Sequence, residues 1–422
     1  MRKLLLVAFF FPPLGGGVQR PLKWVKYLPN FGWRSTVLTT YPSHVKYVRD
    51  LSLSDEIPGD TKVYRAFFPN IELGLRGWLG KCFFRPLERR FFVPDKEVGW
   101  IPFAYRKALK IVRHERPEVV LTTSPPFSTT LLGERLKREF GLRLILDMRD
   151  EWTNNPYHLE ERERDLSPRR LSREKELESR AFRGADKILC VSEIMAQNFQ
   201  ELIGIPEEKC VVIRNGFDPQ DFDGLERDSR EKDGKLRFVY NGSLSLSSPD
   251  TFLLALSRAI ETSIIDPDKI EVTFITGSST KRLIKKFETL VNLGCVKLKT
   301  YLPHKESLRE VMKHDVLLLL IPGQRGNESI YKGKIFEYIN CNRPILGLVP
   351  SGGVADKLIQ KTRTGTTVEP EDMPGMLRAI SNLYREWQTN TLTIDPDWEE
   401  IIKYDRKRQT GKLAEVLDEV AG

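Results

Sequence analysis

Two short runs in the first half of the sequence combine residue types suited to polar or charged ligands: FFFPPLGGGVQR at 9–20 and DMRDEW at 147–152. In the second, Asp147, Arg149 and Asp150 close an apolar, strand-like run, and ligands of open α/β sheets gather at the C-terminal ends of strands. A carboxylate there can position a substrate hydroxyl or accept its proton. A pairing of Arg149 with Asp150, with no chemical role, is the plainer alternative. In the first run, Pro12 and Pro13 stop a strand, and Gly15, Gly16 and Gly17 precede a helical pattern that begins at Val18. Backbone without side chains lets a bulky polar ligand approach closely, although a tight strand-to-helix turn also uses glycine.

The spacing excludes several familiar sites. Val18, Gln19 and Arg20 follow the triplet, so it does not read G-x-G-x-x-G. The next strand ends VLTTYP, without the acidic residue a dinucleotide fold would place there. There is no G-x-x-x-x-G-K run either. The two DPD sequences at 266–268 and 395–397 bracket prolines in apparent loops, where turn capping is the expected role of aspartate. Cys82, Cys190, Cys210, Cys295 and Cys341 are scattered and odd in number, and the five histidines form no cluster. That pattern argues against a zinc site or a disulfide framework and for reduced thiols in a cytoplasmic setting. No cofactor and no metal are expected.

These residues need a scaffold to position them, and the rest of the chain supplies one. At 422 residues, two domains are the prior. Strand-like runs at 3–11, 35–40, 62–67, 118–124, 143–150, 187–192 and 209–216 alternate with amphipathic helical segments. A polar stretch, FDPQDFDGLERDSREKDGK, then reads as a linker. The pattern restarts with strands at 236–242, 269–277, 296–302, 315–322 and 343–349, separated by helices at 250–262, 279–292, 305–313 and 331–340. Alternation of this kind gives parallel sheets covered on both faces. The expected fold is therefore α/β, two doubly wound Rossmann-like domains facing a central cleft, closed by polar helices at the C-terminus.

The formal charge of +9 points to an anionic partner. No nucleic-acid recognition motif is present, so none is expected to bind. Arg2 and Lys3 ahead of an apolar stretch resemble a signal peptide, but the stretch is short and at once interrupted by prolines and glycines. From Leu75, LRGWLGKCFFRPLERRFF interleaves Arg76, Lys81, Arg85, Arg89 and Arg90 with aromatics. That suits an anionic membrane surface, and equally suits helices that pack their aromatics inward.

Taken in order, further runs carry a family resemblance: RGADKILCVSEIM (183–195), VVIRNGFD (211–218), YLPHKESLREVMKHDVLLLL (301–320) and GKIFEYINCNRPILG (333–347). Together with FPPLGGGVQR and LILDMRDEW, they resemble a GT-B-fold retaining glycosyltransferase of the metal-independent family-four type, in its capsule and O-antigen branch. The resemblance implies an acceptor-binding domain at 1–218, with 398–422 packing back on it, and a nucleotide-sugar domain at 219–397. It implies sugar transfer from a nucleotide-sugar donor to a glycan or lipid-linked acceptor, in the cytoplasm or on the inner face of the membrane. A glutamate in the position of Glu337 would bind the ribose hydroxyls, as a carboxylate can accept two hydrogen bonds from a diol. Lys334, one turn earlier, would counter the charge of the leaving diphosphate beside Gly333. Donor contacts are also implied at Gly16, Gly17, Gly242 and Leu302, acceptor contacts at Ser124, Arg149 and Asp150, and catalytic roles at Asp150 and Lys334.

The chain departs from the family pattern in three places. Ser329 stands where a second glutamate is usual, with Glu328 beside it; NGSLSLSSPD (241–250) lacks the usual arginine and lysine clamp; and TTSPPFSTT (122–130) replaces an active-site histidine, as in an SSPP variant of the same branch. Two rival functions remain at this point: a nucleotide-sugar epimerase on the same scaffold, or a non-catalytic GT-B-like binding subunit.

Overall fold

The leucine-rich run that opens the chain forms β1 (Arg2–Ala8), buried from Leu4 onward. Unbroken apolar sequence is what a parallel strand covered on both faces requires. In the computed structural model, which describes residues 1–69, 92–157, 159–225, 233–245 and 247–422, two such sheets are present. The first has seven strands in the order β3-β2-β1-β4-β5-β6-β7, with β2 at Trp33–Thr40, β3 at Lys62–Ala66, β4 at Val119–Ser124, β5 at Arg143–Met148, β6 at Lys187–Cys190 and β7 at Cys210–Val212. The second has six, in the order β10-β9-β8-β11-β12-β13: β8 at Leu236–Asn241, β9 at Ile270–Ile275, β10 at Val296–Lys299, β11 at Val316–Leu320, β12 at Ile345–Leu348 and β13 at Gly365–Val368. Every pairing is parallel. The α/β class and the two Rossmann-like sheets are as the sequence leads one to expect.

In each sheet the strand order reverses beside the first strand, between β1 and β4 and again between β8 and β11. The loops that leave those strands diverge there and open a crevice. The residues with chemical potential lie on these loops: 9–20 follows β1, Ser124 ends β4, and Gly242 follows β8.

The chain divides into two compact units, Met1–Arg214 with Arg406–Gly422, and Asn215–Asp405. In the first, the helix Arg406–Ala421 buries Leu413, Leu417 and Val420 in one cluster with Leu4, Leu6, Trp33 and Val119. The helix Ser128–Phe140 lies close on the sheet at Gly133, where a Cβ would come 2.6 Å from Thr122 and 2.7 Å from Leu144. The second unit has its own core, centred on Phe238, Val272, Leu318 and Leu346.

Several elements differ from expectation, among them two in the second unit. The sixth strand of the second sheet, β13, is a four-residue GTTV segment too short to show periodicity. The segment expected as one helix over 279–292 is two, Lys281–Lys286 and Glu288–Asn292, because Phe287 leaves helical geometry (φ −119°, ψ 36°) and is buried in the core.

Candidate functional site

In the first unit, the glycine triplet is held by its own neighbours. Gly15 N–H donates to the Val48 carbonyl (2.7 Å), Asp50 N–H donates to that of Pro13 (2.8 Å), and Leu14 bridges Arg49. Residues 47–50 thus run along the loop, and a Cβ on Gly16 would sit 3.3 Å from the Tyr47 hydroxyl. Gly17 has φ +75°, where side chains are strained. Its carbonyl accepts from Arg149 Nη1.

Arg149 joins the two loops that flank the β1/β4 reversal. Besides Gly17, it donates from Nε to the Ser124 carbonyl (3.1 Å) and from Nη2 to that of Pro125 (2.5 Å). Burial pulls its pKa below the ordinary arginine value. Three of its five N–H groups are therefore committed to backbone. Ser124 is fully buried, and its hydroxyl meets Thr129 Oγ1 at 2.9 Å. Asp147 is likewise inside: it accepts from Arg20 Nε (3.0 Å) and Thr123 Oγ1 (2.7 Å). Arg20 in turn donates to the Arg214 carbonyl (2.9 Å) and lies over the Trp24 ring. Asp150, half-buried, follows two residues beyond β5.

Behind this loop stands a set of buried carboxylates that the sequence did not single out. Glu151 accepts from Asn154 (2.6 Å) and Asn198 (2.8 Å), and Glu174 accepts from Arg162 and Arg170. Glu178 accepts from the Thr153 N–H (3.2 Å) and hydroxyl, and burial pushes its pKa up to about 7. Asp95, bonded by the Ser128 N–H, is raised by burial to about 6. Glu174 and Glu178 lie in the helix Pro168–Gly184, which otherwise reads as solvated, whereas Glu151 sits inside the DMRDEW run and Asp95 in the loop before Lys96.

In the second unit, Gly242, Lys334 and Glu337 come together with residues not foreseen. Lys334 and Glu337 occupy the first turn of the helix Lys334–Asn340, which Gly333 caps. Gly242 has φ +148°, and a Cβ there would lie 2.3 Å from Lys334 Nζ. That amine rests 3.6 Å from the centroid of the Tyr240 ring. It is shut off from solvent and has no hydrogen-bond partner among the described residues, although its stem is partly exposed. Burial pushes Lys334 well below the ordinary lysine range; nearby Lys332 adds to this and Glu337 opposes it.

Glu337 Oε1 meets His304 Nε2 at 2.8 Å, and His304 Nδ1 lies 3.9 Å from Asp221 Oδ2. Leu302, half-buried, packs on the adjoining core two residues before His304. Where the usual arginine and lysine clamp is missing, the hydroxyls of Ser243, Ser245 and Ser278 stand within 3.0–3.2 Å of one another. Ser329 turns inward, donating to the Gly326 carbonyl (2.8 Å), while Glu328 is exposed beside it. Residues 75–91 of the basic and aromatic run lie outside the described residues. No helix among the described residues is long and apolar enough to cross a membrane.

Comparison with known proteins gives a consistent setting. Residues 14–221 match the family model described as Glycosyltransferase Family 4. No curated protein matches the sequence. Among solved structures, the sucrose-phosphate synthase of Thermosynechococcus elongatus superposes with a TM-score of 0.68 at 12% identity, covering 99% of each chain. Anabaena Alr3699/HepE, solved in complex with UDP-glucose, gives 0.65 at 14% identity over 99% of this chain and 100% of that one. The UDP-GlcNAc 2-epimerase of Methanocaldococcus jannaschii gives 0.52 at 13% identity, over 99% and 100%. Residues 14–221 thus resemble a Glycosyltransferase Family 4 domain, within a chain of two Rossmann-like units that has the GT-B fold.

Proposed function

We propose that the protein is a metal-independent glycosyltransferase that moves a sugar from a nucleotide-sugar donor to a hydroxyl of a glycan or lipid-linked glycan, with retention of anomeric configuration. The observation that carries this reading is Lys334. A buried amine without an acceptor is costly to keep, and one turn away stands a carboxylate with an open oxygen. A nucleotide-sugar supplies what both groups lack: anionic oxygens for the amine and ribose hydroxyls for Glu337. In this reading, the bond between the anomeric carbon and the diphosphate breaks as Lys334 meets the charge that develops on the leaving oxygen. The acceptor hydroxyl, oriented by Asp150, bonds to the same face of the sugar, and its proton passes to the departing diphosphate. Leu302, Gly242 and Gly333 shape the donor side, and Gly16 and Gly17 let donor or acceptor approach closely. Arg149 and Ser124 serve the acceptor by holding its loops, since their polar atoms are committed to the protein itself.

The run 75–92, with its basic and aromatic residues, suits the inner face of an anionic membrane, where a lipid-linked acceptor would reside. An epimerase is the second reading, because the same fold serves one in Methanocaldococcus jannaschii. Product formation that needs no acceptor would favour it.

The test is a thermal-shift screen of nucleotide-sugars in EDTA, followed by Glu337→Gln. A hydrogen bond to a charged group contributes about 1.5–3 kcal/mol, so donor affinity should fall roughly 10- to 150-fold with the melting temperature unchanged. Parent-like affinity in Glu337→Gln, or stabilisation that appears only with added magnesium or manganese, would refute the reading.

A further inference from the structure

His304 reads in the sequence as one of five unclustered histidines. The fold gives it a place between two carboxylates, Glu337 at 2.8 Å from Nε2 and Asp221 at 3.9 Å from Nδ1. Its side chain is 13% exposed and that of Glu337 19%. Three elements converge on the ring: it opens the helix His304–Met312, Asp221 lies on the turn Pro219–Phe222, and Glu337 lies on the helix Lys334–Asn340. The turn that carries the ring is tied locally as well, since the His304 backbone carbonyl accepts from the Ser307 hydroxyl (2.8 Å) three residues on.

An unsupported glutamate on a helix samples many rotamers, and ordering it when a ligand arrives costs conformational entropy. The His304 contact removes most of that freedom beforehand. It occupies one lone pair of Oε1, and no side chain among the described residues donates to Oε2. A carboxylate has about four acceptor positions, so Glu337 keeps enough of them to receive a diol while its plane is fixed.

We propose that His304 is a positioning residue that pre-orients the Glu337 carboxylate for the hydroxyls of a bound nucleoside diphosphate, with Asp221 steadying the far side of the ring. The proposal rests on the assignment of Glu337 to the ribose, and the test separates the two. Uridine, guanosine and adenosine diphosphates and their 2′- and 3′-deoxy counterparts are titrated calorimetrically against the parent, Glu337→Gln, His304→Leu and His304→Gln. The quantity read is the preference for the ribose form over the better of the two deoxy forms. His304→Leu should cut it about tenfold, the scale of one charge-assisted hydrogen bond, and leave affinity for the deoxy forms within about twofold of the parent. Gln, whose amide reaches as far as Nε2, should restore the preference.

If Glu337→Gln keeps the full preference, the ribose assignment itself fails. If Glu337→Gln loses it and His304→Leu does not, the assignment stands and the positioning role is overturned. Equal weakening of ribose and deoxy forms by His304→Leu would mean a purely structural histidine, and also overturns the proposal. Should the Leu variant not fold, His304→Asn, too short to reach Glu337, takes its place against the Gln variant with the same expectations.

Discussion

Lys334 is the residue whose environment makes the strongest physical statement. A lysine can spread its stem over apolar surface and keep its amine in water, yet here the amine is pressed between Gly242 and the Tyr240 ring, without solvent. The ring face and the Glu337 charge recover part of the cost of keeping the proton; burial still dominates and lowers the pKa. Such an arrangement sacrifices stability for a ready cation, so Lys334→Met should raise stability by about 1–3 kcal/mol while removing sugar transfer. The pH dependence has a definite sign. Between the lowered native pKa and the ordinary value near ~10.4, the unfolded chain binds a proton that the native protein does not. Parent stability therefore gains with rising pH from this group, and the Met variant lacks that gain. Thermal unfolding of both proteins from neutral pH to about pH 10 checks it, and a Met variant that melts lower than the parent contradicts the argument.

At the scale of elements, what the sequence showed and what it hid follow from range. Strand runs were legible because parallel strands buried on both faces need unbroken apolar stretches, as in β1 and β11. Ends were less so: the expected strand at 209–216 is only Cys210–Val212, since Ile213 to Gly216 run on as an irregular connection. The glycine triplet was visible as a tight place, but that Tyr47 and Arg149 make it tight depends on contacts across the chain. Glu337 was legible through its run; His304, 33 residues away, was not. The buried carboxylates behind the loop 150–157 were hidden for the same reason, and they carry a prediction. Glu178 has a native pKa of about 7 against an ordinary 4.5, so between those values the native protein binds the extra proton. Its stability should fall as pH rises through that window, by on the order of 3 kcal/mol if the shift acts in full. Asp95, raised to about 6, acts in the same direction. Glu178→Gln keeps the bonds to Thr153 and removes the titration, so its stability should vary less between about pH 5 and pH 7.5 than the parent's. Parallel pH profiles of chemical denaturation in the two proteins would mean the carboxylate is not neutralised in the native state.

On the scale of the whole molecule, the chain returns at its end to the unit in which it began. The helix Arg406–Ala421 lies against the helix Gln19–Tyr27 and under β1, β2 and β4, where Trp33 Nε1 donates to Asp418 (3.0 Å) and Lys187 pairs with Glu419 (2.7 Å). The exposed pairs add little; the burial of Leu413 and Leu417, both fully inaccessible, contributes more. Each unit has a core of its own, so damage to one need not travel to the other. Leu417→Ala should cost about 2–5 kcal/mol, and the cost should appear in the first unit alone. Tryptophan emission reports that unit once Trp387 and Trp398 of the second are replaced by phenylalanine, because Trp24, Trp33, Trp100 and Trp152 are all buried within it. The expected result in the intact chain is a fluorescence-detected denaturation midpoint shifted to lower urea. Nucleoside diphosphate affinity, measured without denaturant, should stay within about twofold of the parent, since neither Lys334 nor Glu337 rests on the altered core. A loss of nucleotide affinity comparable to the loss of stability would show that the C-terminal helix couples the two units, and that the second does not hold its ligand residues by itself.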